Sequence, residues 1–403
     1  MNVCFETFGC RLNRAETLNM EALFLANGWK KTKRHSDADL IIVRGCSVTA
    51  RAQRDTEKYI DGLRAKYPSK RIFTTGCLIN KTPDAMIDAA MRATTTPENF
   101  ISEAIPTTTA RAYLKVQDGC NGNCSYCIVP KFRGKSISED FNSVITKAKK
   151  FISCGYTEIV LTGCNLSLYL SNGKRLADLM AELATLESDG HRIRLGSLEP
   201  FPEANDVIDV MAEHENICRF LHIPIQSASN RILVEMHRPY KISDLNKLIN
   251  YATSKIPNLG LGCDVIAGFP TESDYDFNAT FEFVKRHPFT NIHAFPYSER
   301  PGTMAVKIQP SIPRQIRSER ARQLTALVAE KRNHFAKKFK RREVEVVIEN
   351  AATLSGWTSE YLWCTSRSPN ILRTSKQKSL SRKSIVKMIV KDSSGDILYA
   401  DPL

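Results

Sequence analysis

From Asn2 to Ser298 the sequence alternates short apolar, β-rich runs with amphipathic stretches. That alternation confines the chain to parallel sheets covered by helices. In the first hundred residues the runs are Asn2–Thr7, Leu40–Val43 and Arg71–Thr75, with helical stretches predicted over Glu16–Trp29 and Thr49–Tyr67. Gly28, Pro68 and Pro83 fall where helices should stop or start. Six more strands are predicted at Tyr113–Gln117, Glu158–Leu161, Arg192–Leu195, Phe220–Ile225, Gly260–Ile266 and Asn291–Pro296. Helical stretches such as Glu139–Ile152, Ala177–Leu186, Asp244–Thr253 and Tyr275–Lys285 separate them. Six βα units with right-handed crossovers curl into an incomplete barrel, whose working face lies at the strand C-termini.

The fold class read here is α/β: an N-terminal parallel-sheet domain over 1–106, a partial (βα)6 barrel over 107–340, and a small C-terminal β-barrel over 341–403. Thr94–Thr109, with its threonine runs and Pro97 and Pro106, reads as the first linker, and Pro296–Pro313 closes the barrel. The last sixty residues cluster β-formers at Glu343–Glu349, Tyr361–Thr365, Ser384–Val390 and Asp396–Ala400, between Gly- and Ser-rich turns. Small barrels of that kind often bind single-stranded RNA.

Charge points to the same partner. The formal charge is +14, and nucleic acid is the commonest acidic partner of such a chain. Between Arg314 and Arg342 eleven Lys or Arg face two Glu, and Leu324, Leu327, Val328, Phe335 and Phe339 fit one apolar stripe. This reads as a long helix with a basic outer face, ending in Lys337, Lys338, Lys340, Arg341 and Arg342. Arg367, Arg373, Lys376, Lys378, Arg382, Lys383 and Lys387 continue the excess, so phosphate contact outweighs a merely solvated face. No apolar stretch approaches the eighteen residues of a membrane span, and MNVCFETFGC lacks the regions of a signal peptide. A cytoplasmic protein is expected.

Twelve cysteines in a reducing compartment suggest metal or redox work before disulfides. Cys120, Cys124 and Cys127 form C-x3-C-x2-C within VQDGCNGNCSYCIVP, just after the first barrel strand. Three thiolates so placed can hold three irons of a 4Fe-4S cluster and leave the fourth open. Structural zinc is the alternative, but it wants four ligands in C-x2-C pairs, and no fourth Cys or His lies nearby. Cys10, Cys46 and Cys77 form a second set, each preceded by Gly9, Gly45 or Gly76 and each following a strand. The intervals of 36 and 31 residues are one βα unit long, so three thiols should meet at one edge of a parallel sheet and hold a second cluster. Cys4, Cys154, Cys218, Cys263 and Cys364 read as buried free thiols.

The Cys120 loop resembles that of the radical S-adenosylmethionine (SAM) superfamily, in which an aromatic residue, here Tyr126, precedes the last cysteine. Across essentially the whole chain, TFGCRLNRAET, RGCSVTARA, VQDGCNGNCSYCIVPKFRG, LGSLEP, HIPIQSASNRILVEMHRPY, DVIAGFPTES and FPYSERPGT are similar to blocks of the MiaB-like methylthiotransferases. GCRLNRAET and VQDGCNGNC look most like the MtaB branch, and the last domain would be a TRAM domain. The resemblance implies two 4Fe-4S clusters and SAM as cofactors. SAM would chelate the open iron of the Cys120 cluster and yield a 5′-deoxyadenosyl radical. A second SAM would methylate a sulfur held at the auxiliary cluster of Cys10, Cys46 and Cys77. The implied product is a methylthio group on C2 of N6-threonylcarbamoyladenosine beside the tRNA anticodon, with a flavodoxin- or ferredoxin-like reductant. An unactivated aromatic C–H resists any side-chain base, so radical chemistry supplied by a cofactor makes physical sense.

Other barrel residues stand at strand ends where SAM would lie. The backbone of Thr162 and Gly163 is placed for its amino group, Glu199 for ribose hydroxyls, Gln226 at the fourth strand end, and Ile266 to Gly268 for close approach of adenine. For each, ordinary packing is an equal alternative. Arg133 reads as a phosphate contact or a surface salt bridge, Cys164 as packing near SAM, and His222 and His293 as satisfied core imidazoles. Rivals are the same chemistry on isopentenyladenosine or on a ribosomal protein aspartate, and a non-catalytic, metal-containing RNA-binding protein. A monomer is expected.

Overall fold

The computed structural model describes residues 1–77, 109–187, 190–367 and 384–403. The predicted linker Thr94–Thr109 (its last residue apart), Pro83, and Arg373, Lys376, Lys378, Arg382 and Lys383 lie outside the described residues. The N-terminal sheet is parallel, in the order β2-β1-β3-β4, with β1 at Asn2–Thr7, β2 at Lys30–Lys31, β3 at Leu40–Gly45 and β4 at Arg71–Gly76. Helix α1 (Arg11–Ala26) packs Met20 with Val3, Leu40 and Ile42, while α2 (Ala50–Lys66) packs Ile60 and Leu63 with Cys4, Ile41 and Val43. Two covered faces explain the unbroken apolar run of β3. Helix α1 starts at Arg11, earlier than the Glu16 its apolar spacing suggests, because Leu12, Asn13 and Ala15 are also buried.

Six parallel strands follow in sequence order: β5 (Ala112–Lys115), β6 (Glu158–Thr162), β7 (Arg192–Arg194), β8 (Phe220–Gln226), β9 (Gly260–Ala267) and β10 (Phe289–Pro296). They pair as β7-β6-β5 and β8-β9-β10, and an Ile193–Ile217 bridge ties β7 to the segment that leads into β8. Among the described residues β5 and β10 do not pair, so the barrel has an open seam. Helices α3 (Phe141–Ser153), α4 (Leu176–Ala184), α5 (Ala204–Glu213), α6 (Ile242–Lys255), α7 (Asp274–Arg286) and α8 (Arg314–Lys337) wrap the outside. Leu114, Ile159, Leu161, Leu221, Ile223, Leu261 and Val265 face those helices in one core. The residues between them therefore point inward, the strand period being two. Into the seam side goes α1, where Ala15 and Leu18 meet Tyr113 and Val160.

The C-terminal unit is a closed barrel of order β11-β12-β13-β15-β14, from Glu343–Asn350, Ser355–Thr358, Trp363–Thr365, Ile385–Ser394 and Ile397–Pro402 for β11 to β15. Strand β12 went unread because SGWT looks like a turn. Its glycine is required: a Cβ on Gly356 would lie 1.7 Å from the Val347 carbonyl oxygen across the pair. This barrel docks where the central strands begin. Glu158, fully buried, accepts from Arg192 Nε at 2.6 Å and Arg194 Nε at 2.8 Å. The two guanidiniums then reach the carbonyls of Glu345, Trp357, Thr358 and Ser359. Burial pushes the Glu158 carboxyl up, but Arg194, Arg192 and Arg111 hold it well below its ordinary range.

The basic helix is only partly a solvent face. Arg317 and Arg320 are buried, on the carbonyls of Tyr297 and Ile312 and on Glu272. Lys331 Nζ caps the end of α7 through the carbonyls of Val284, Lys285 and His287. Helix α8 ends at Lys337, and the run Lys337, Lys338, Lys340, Arg341 and Arg342 is exposed. No helix among the described residues is long and apolar enough to cross a membrane.

Candidate active site

Register puts the ends of β1, β3 and β4 side by side, with Thr7 opposite Arg44 and Gly45 opposite Gly76. Each strand then turns at its Gly-Cys pair. Gly9 and Gly76 adopt φ of 95° and 92°, which only glycine takes without strain. A Cβ on Gly9 would stand 2.6 Å from Cys46 Cβ and 3.0 Å from its sulfur. Cys10 caps the start of α1 and is exposed, while Cys46 and Cys77 are buried. Burial pushes the Cys46 and Cys77 thiols up, and the paired strand ends set the three Gly-Cys turns side by side at one edge. Asn13 secures the turns: its Nδ2 donates to the carbonyls of Phe8 at 2.8 Å and Gly45 at 2.9 Å.

At the C-terminal mouth of the barrel, Cys120, Cys124 and Cys127 line a loop and are half-buried. Gly122 N–H donates to Cys120 Sγ at 3.3 Å and Arg238 Nη1 to Cys124 Sγ at 3.1 Å, donors that suit metal-bound thiolates. A Cβ on Gly122 would fill the space 3.2 Å from Cys120 Sγ and 3.8 Å from Cys124 Sγ. Burial pushes Cys127 up to about 12, so it keeps its proton until a metal displaces it.

Arg133 joins the two triads. It ends the short helix Val129–Arg133 after Cys127, and its Nε lies 3.2 Å from Cys77 Sγ. Nη2 donates to Asn13 Oδ1 at 2.8 Å and Glu16 Oε2 at 3.1 Å; Nη1 donates to Glu16 Oε1 and Asp118 Oδ1, both at 3.0 Å. Arg44 and Lys115 also grip Glu16, and Lys115 grips Asp118. The expectation that Arg133 meets phosphate or a surface partner is therefore corrected: every nitrogen is engaged in a buried network between sheet and barrel.

Residues 2–95 match the family described as "Uncharacterized protein family UPF0004", and residues 114–284 match the Radical SAM superfamily. Threonylcarbamoyladenosine tRNA methylthiotransferase MtaB of Aquifex aeolicus is 32% identical over 381 residues, covering 86% of this chain and 93% of that protein. The chain belongs to the MtaB-type radical SAM methylthiotransferases. The Bacillus subtilis protein of the same name is 31% identical, covering 87% and 85%. A tRNA-2-methylthio-N(6)-dimethylallyladenosine synthase of Clostridium tetani is 29% identical, covering 85% and 84%. Among solved structures, the radical SAM methyltransferase TsrM of Kitasatospora setae superposes with a TM-score of 0.52 over 76% of this chain and 75% of that one. At 12% identity that likeness is one of fold. As a radical SAM methylthiotransferase, the protein uses SAM and 4Fe-4S clusters.

The remaining residues at the methylthiotransferase's barrel mouth have defined partners. Thr162 donates its hydroxyl to the Leu114 carbonyl and accepts Val116 N–H, while Gly163 leaves room for Gln117 and Leu166. Gln226 ends β8 at a register shift with φ 62°, a strained conformation for a side chain of its size. Glu199 pairs with Arg238, yet burial holds its carboxyl above the ordinary value. Tyr126 and Ile266 both pack against the cluster of Ile232, Met236 and Phe269, and the Tyr126 hydroxyl lies 3.4 Å from Arg238. Cys164 Sγ donates to Asp118 at 3.4 Å. Cys4, Cys218, Cys263 and Cys364 are buried as expected, whereas Cys154 is only half-buried.

Arg238, Gln117 and Asn13 were not singled out from sequence. Arg238 touches Glu199, Tyr126, Cys124 and Tyr240; Gln117 ties Gly119, Ser136 and Asn165 together under the loop. Each lies inside a block resembling the family, which is the signal that could have found it. Gly268 is packed from the other side. Its φ is 72°, its N–H donates to Glu272 at 2.7 Å, and a Cβ would sit 2.4 Å from Arg317 Cγ. Since Arg317 is itself bonded, Gly268→Ala should cost about 2–5 kcal/mol from backbone strain plus overpacking, read as a lower urea midpoint.

Proposed function

We propose that the chain adds a methylthio group to C2 of N6-threonylcarbamoyladenosine next to the anticodon of tRNA. Cys120, Cys124 and Cys127 hold the SAM-binding 4Fe-4S cluster, and Cys10, Cys46 and Cys77 hold the auxiliary one. Residues 1–106, 107–340 and 341–403 act as auxiliary-cluster, SAM and RNA-binding units. The observation that carries this reading is the bridge from the Cys120 loop to Cys77 through Arg133, which sets both triads on one buried frame. When bound, the clusters and SAM supply radical C–H activation and a methylated sulfur.

The chain's own residues prepare the place. Asn13 and the Gly-Cys turns present one triad, Gln117 and Arg238 support the other, and the Glu16 network keeps sheet and barrel in fixed relation. Glu199 and Arg238, paired beside Cys124, are placed to meet polar groups of SAM; Thr162, Gly163, Gln226, Ile266 and Gly268 form the wall. The exposed run from Lys337 to Arg342 takes the tRNA backbone. A single-stranded loop suits the task, since the target base leaves its stack at small cost. The enzyme works as a cytoplasmic monomer, reduced by a flavodoxin or ferredoxin.

Nucleoside mass spectrometry of tRNA from a deletion strain tests the reading. Methylthio-threonylcarbamoyladenosine should disappear, its unmodified precursor should accumulate, and the gene on a plasmid should reverse both. Unchanged levels, or loss of the isopentenyl counterpart instead, would reject the substrate.

A further inference from the structure

Inside the barrel, His222, Asp264 and His293 cluster without a part in either triad. His222 Nε2 and His293 Nδ1 both lie 3.0 Å from Asp264 Oδ1, and the two rings are 5.2 Å apart. The carboxylate can only accept, so both of those nitrogens carry protons when they bond it. The other nitrogen of His222 faces backbone: Nδ1 lies 2.6 Å from where a Cβ on Gly262 would stand. His293 differs. It stands on β10 at the open seam, more than half exposed, and its expected role as a satisfied core imidazole is corrected. Its Nε2 is turned away from Asp264 by the ring itself. Two residues on, Phe295 is also exposed, 43%, at the strand end where the barrel opens, its ring 6.1 Å from that of His293. Ile292 and Ala294 pack against the helix core, so the exposed pair faces inward. The site adjoins the segment that carries Glu199, for the N–H of its neighbour Leu198 donates to the His222 carbonyl at 2.8 Å.

We infer that His293 determines specificity for the substituent on N6 of the target adenine, with Asp264 and His222 fixing its ring and Phe295 offering the purine a stacking face. This rests on the proposed function and sharpens it. A threonylcarbamoyl group carries an amide N–H and a hydroxyl, either of which can donate to the Nε2 of an imidazole whose Nδ1 holds the proton. An isopentenyl group carries none and would leave Nε2 unpartnered against hydrocarbon. Sites built to bond a polar group reject the analogue that lacks it far more strongly than apolar sites reject a polar one. Phe295 stacks on any base and so adds affinity without choice.

The test uses the reconstituted full chain and three anticodon stem-loops that differ only at the target adenosine: threonylcarbamoylated, isopentenylated and unmodified. Iron and sulfide content reports that each variant holds both clusters, and SAM cleavage without RNA reports that the Cys120 cluster is active. His293→Ala should lower kcat/KM for the threonylcarbamoylated RNA by about 10- to 100-fold, mostly through KM, and level its advantage over unmodified RNA. His293→Gln, which keeps polar atoms at the position, should recover part of it. Phe295→Ala should weaken all three RNAs by a similar factor. If wild type prefers the isopentenylated RNA, the functional proposal falls. If wild type prefers the threonylcarbamoylated RNA and both His293 variants keep that preference with SAM cleavage intact, this inference alone falls. A Phe295→Ala variant with undiminished RNA binding removes the stacking face.

Discussion

Cys120→Ala is expected to abolish reductive cleavage of SAM while the iron of the other triad stays bound, and Cys10→Ala to do the converse. The expectation follows from separation. The first three sulfurs hang on one loop after β5, the second three on the ends of β1, β3 and β4, and Arg133 with its partners stands between the two sets. With one thiolate per iron, as proposed, removing one of three would strip an iron of its protein ligand. The loss should exceed the 10–100-fold that changes behind the ligands cost. Iron and sulfide analysis after anaerobic reconstitution measures occupancy, and 5′-deoxyadenosine release under dithionite measures cleavage. Cys10→Ala should still release 5′-deoxyadenosine yet transfer no methylthio group. Zinc in place of iron, or one substitution emptying both sites, would end the two-cluster reading.

Glu16→Gln should cost about 3–5 kcal/mol of stability, the usual consequence of removing one partner from a buried ion network. The Glu16 carboxylate lies 2.7 Å from Arg44, 2.8 Å from Lys115 and 3.0 Å from Arg133, all largely buried. Glutamine keeps the shape and loses the charge, leaving three cations to share Asp118. Burial pushes the Glu16 carboxyl up, but Arg44, Lys115 and Arg133 outweigh it and hold it below its ordinary 4.5. The sign follows: the folded state favours the ionised form, so the stabilisation is complete above 4.5 and fades as pH falls through the lowered folded value. Wild type should lose stability on acidification by a component that Glu16→Gln lacks. Urea midpoints at neutral pH and in acid read both effects. Equal midpoints at neutral pH would show that the network does not hold sheet and barrel together. Methylthio transfer should fall more than SAM cleavage, because the relation between the triads is lost before the barrel is.

The parallel α/β architecture and both cysteine sets were legible because their signals are local. Apolar runs at βα intervals, a Gly-Cys at each strand end and C-x3-C-x2-C after β5 survive without knowledge of neighbours. Strand β12 was not, since its serine and glycine imitate a turn until β11 presses against them. Arg133, Arg238 and His293 were misread or missed for a common reason. Glu16 and Arg133 are 117 positions apart, Cys124 and Arg238 114, so no pattern along the chain pairs them. Linear order thus determined which backbone units form and which thiols end them. Tertiary structure alone decided which charges are buried against each other, because the fate of an arginine depends on the carboxylates and carbonyls that folding brings to it. The same holds for His293, left open to solvent by the one edge where β5 and β10 fail to meet.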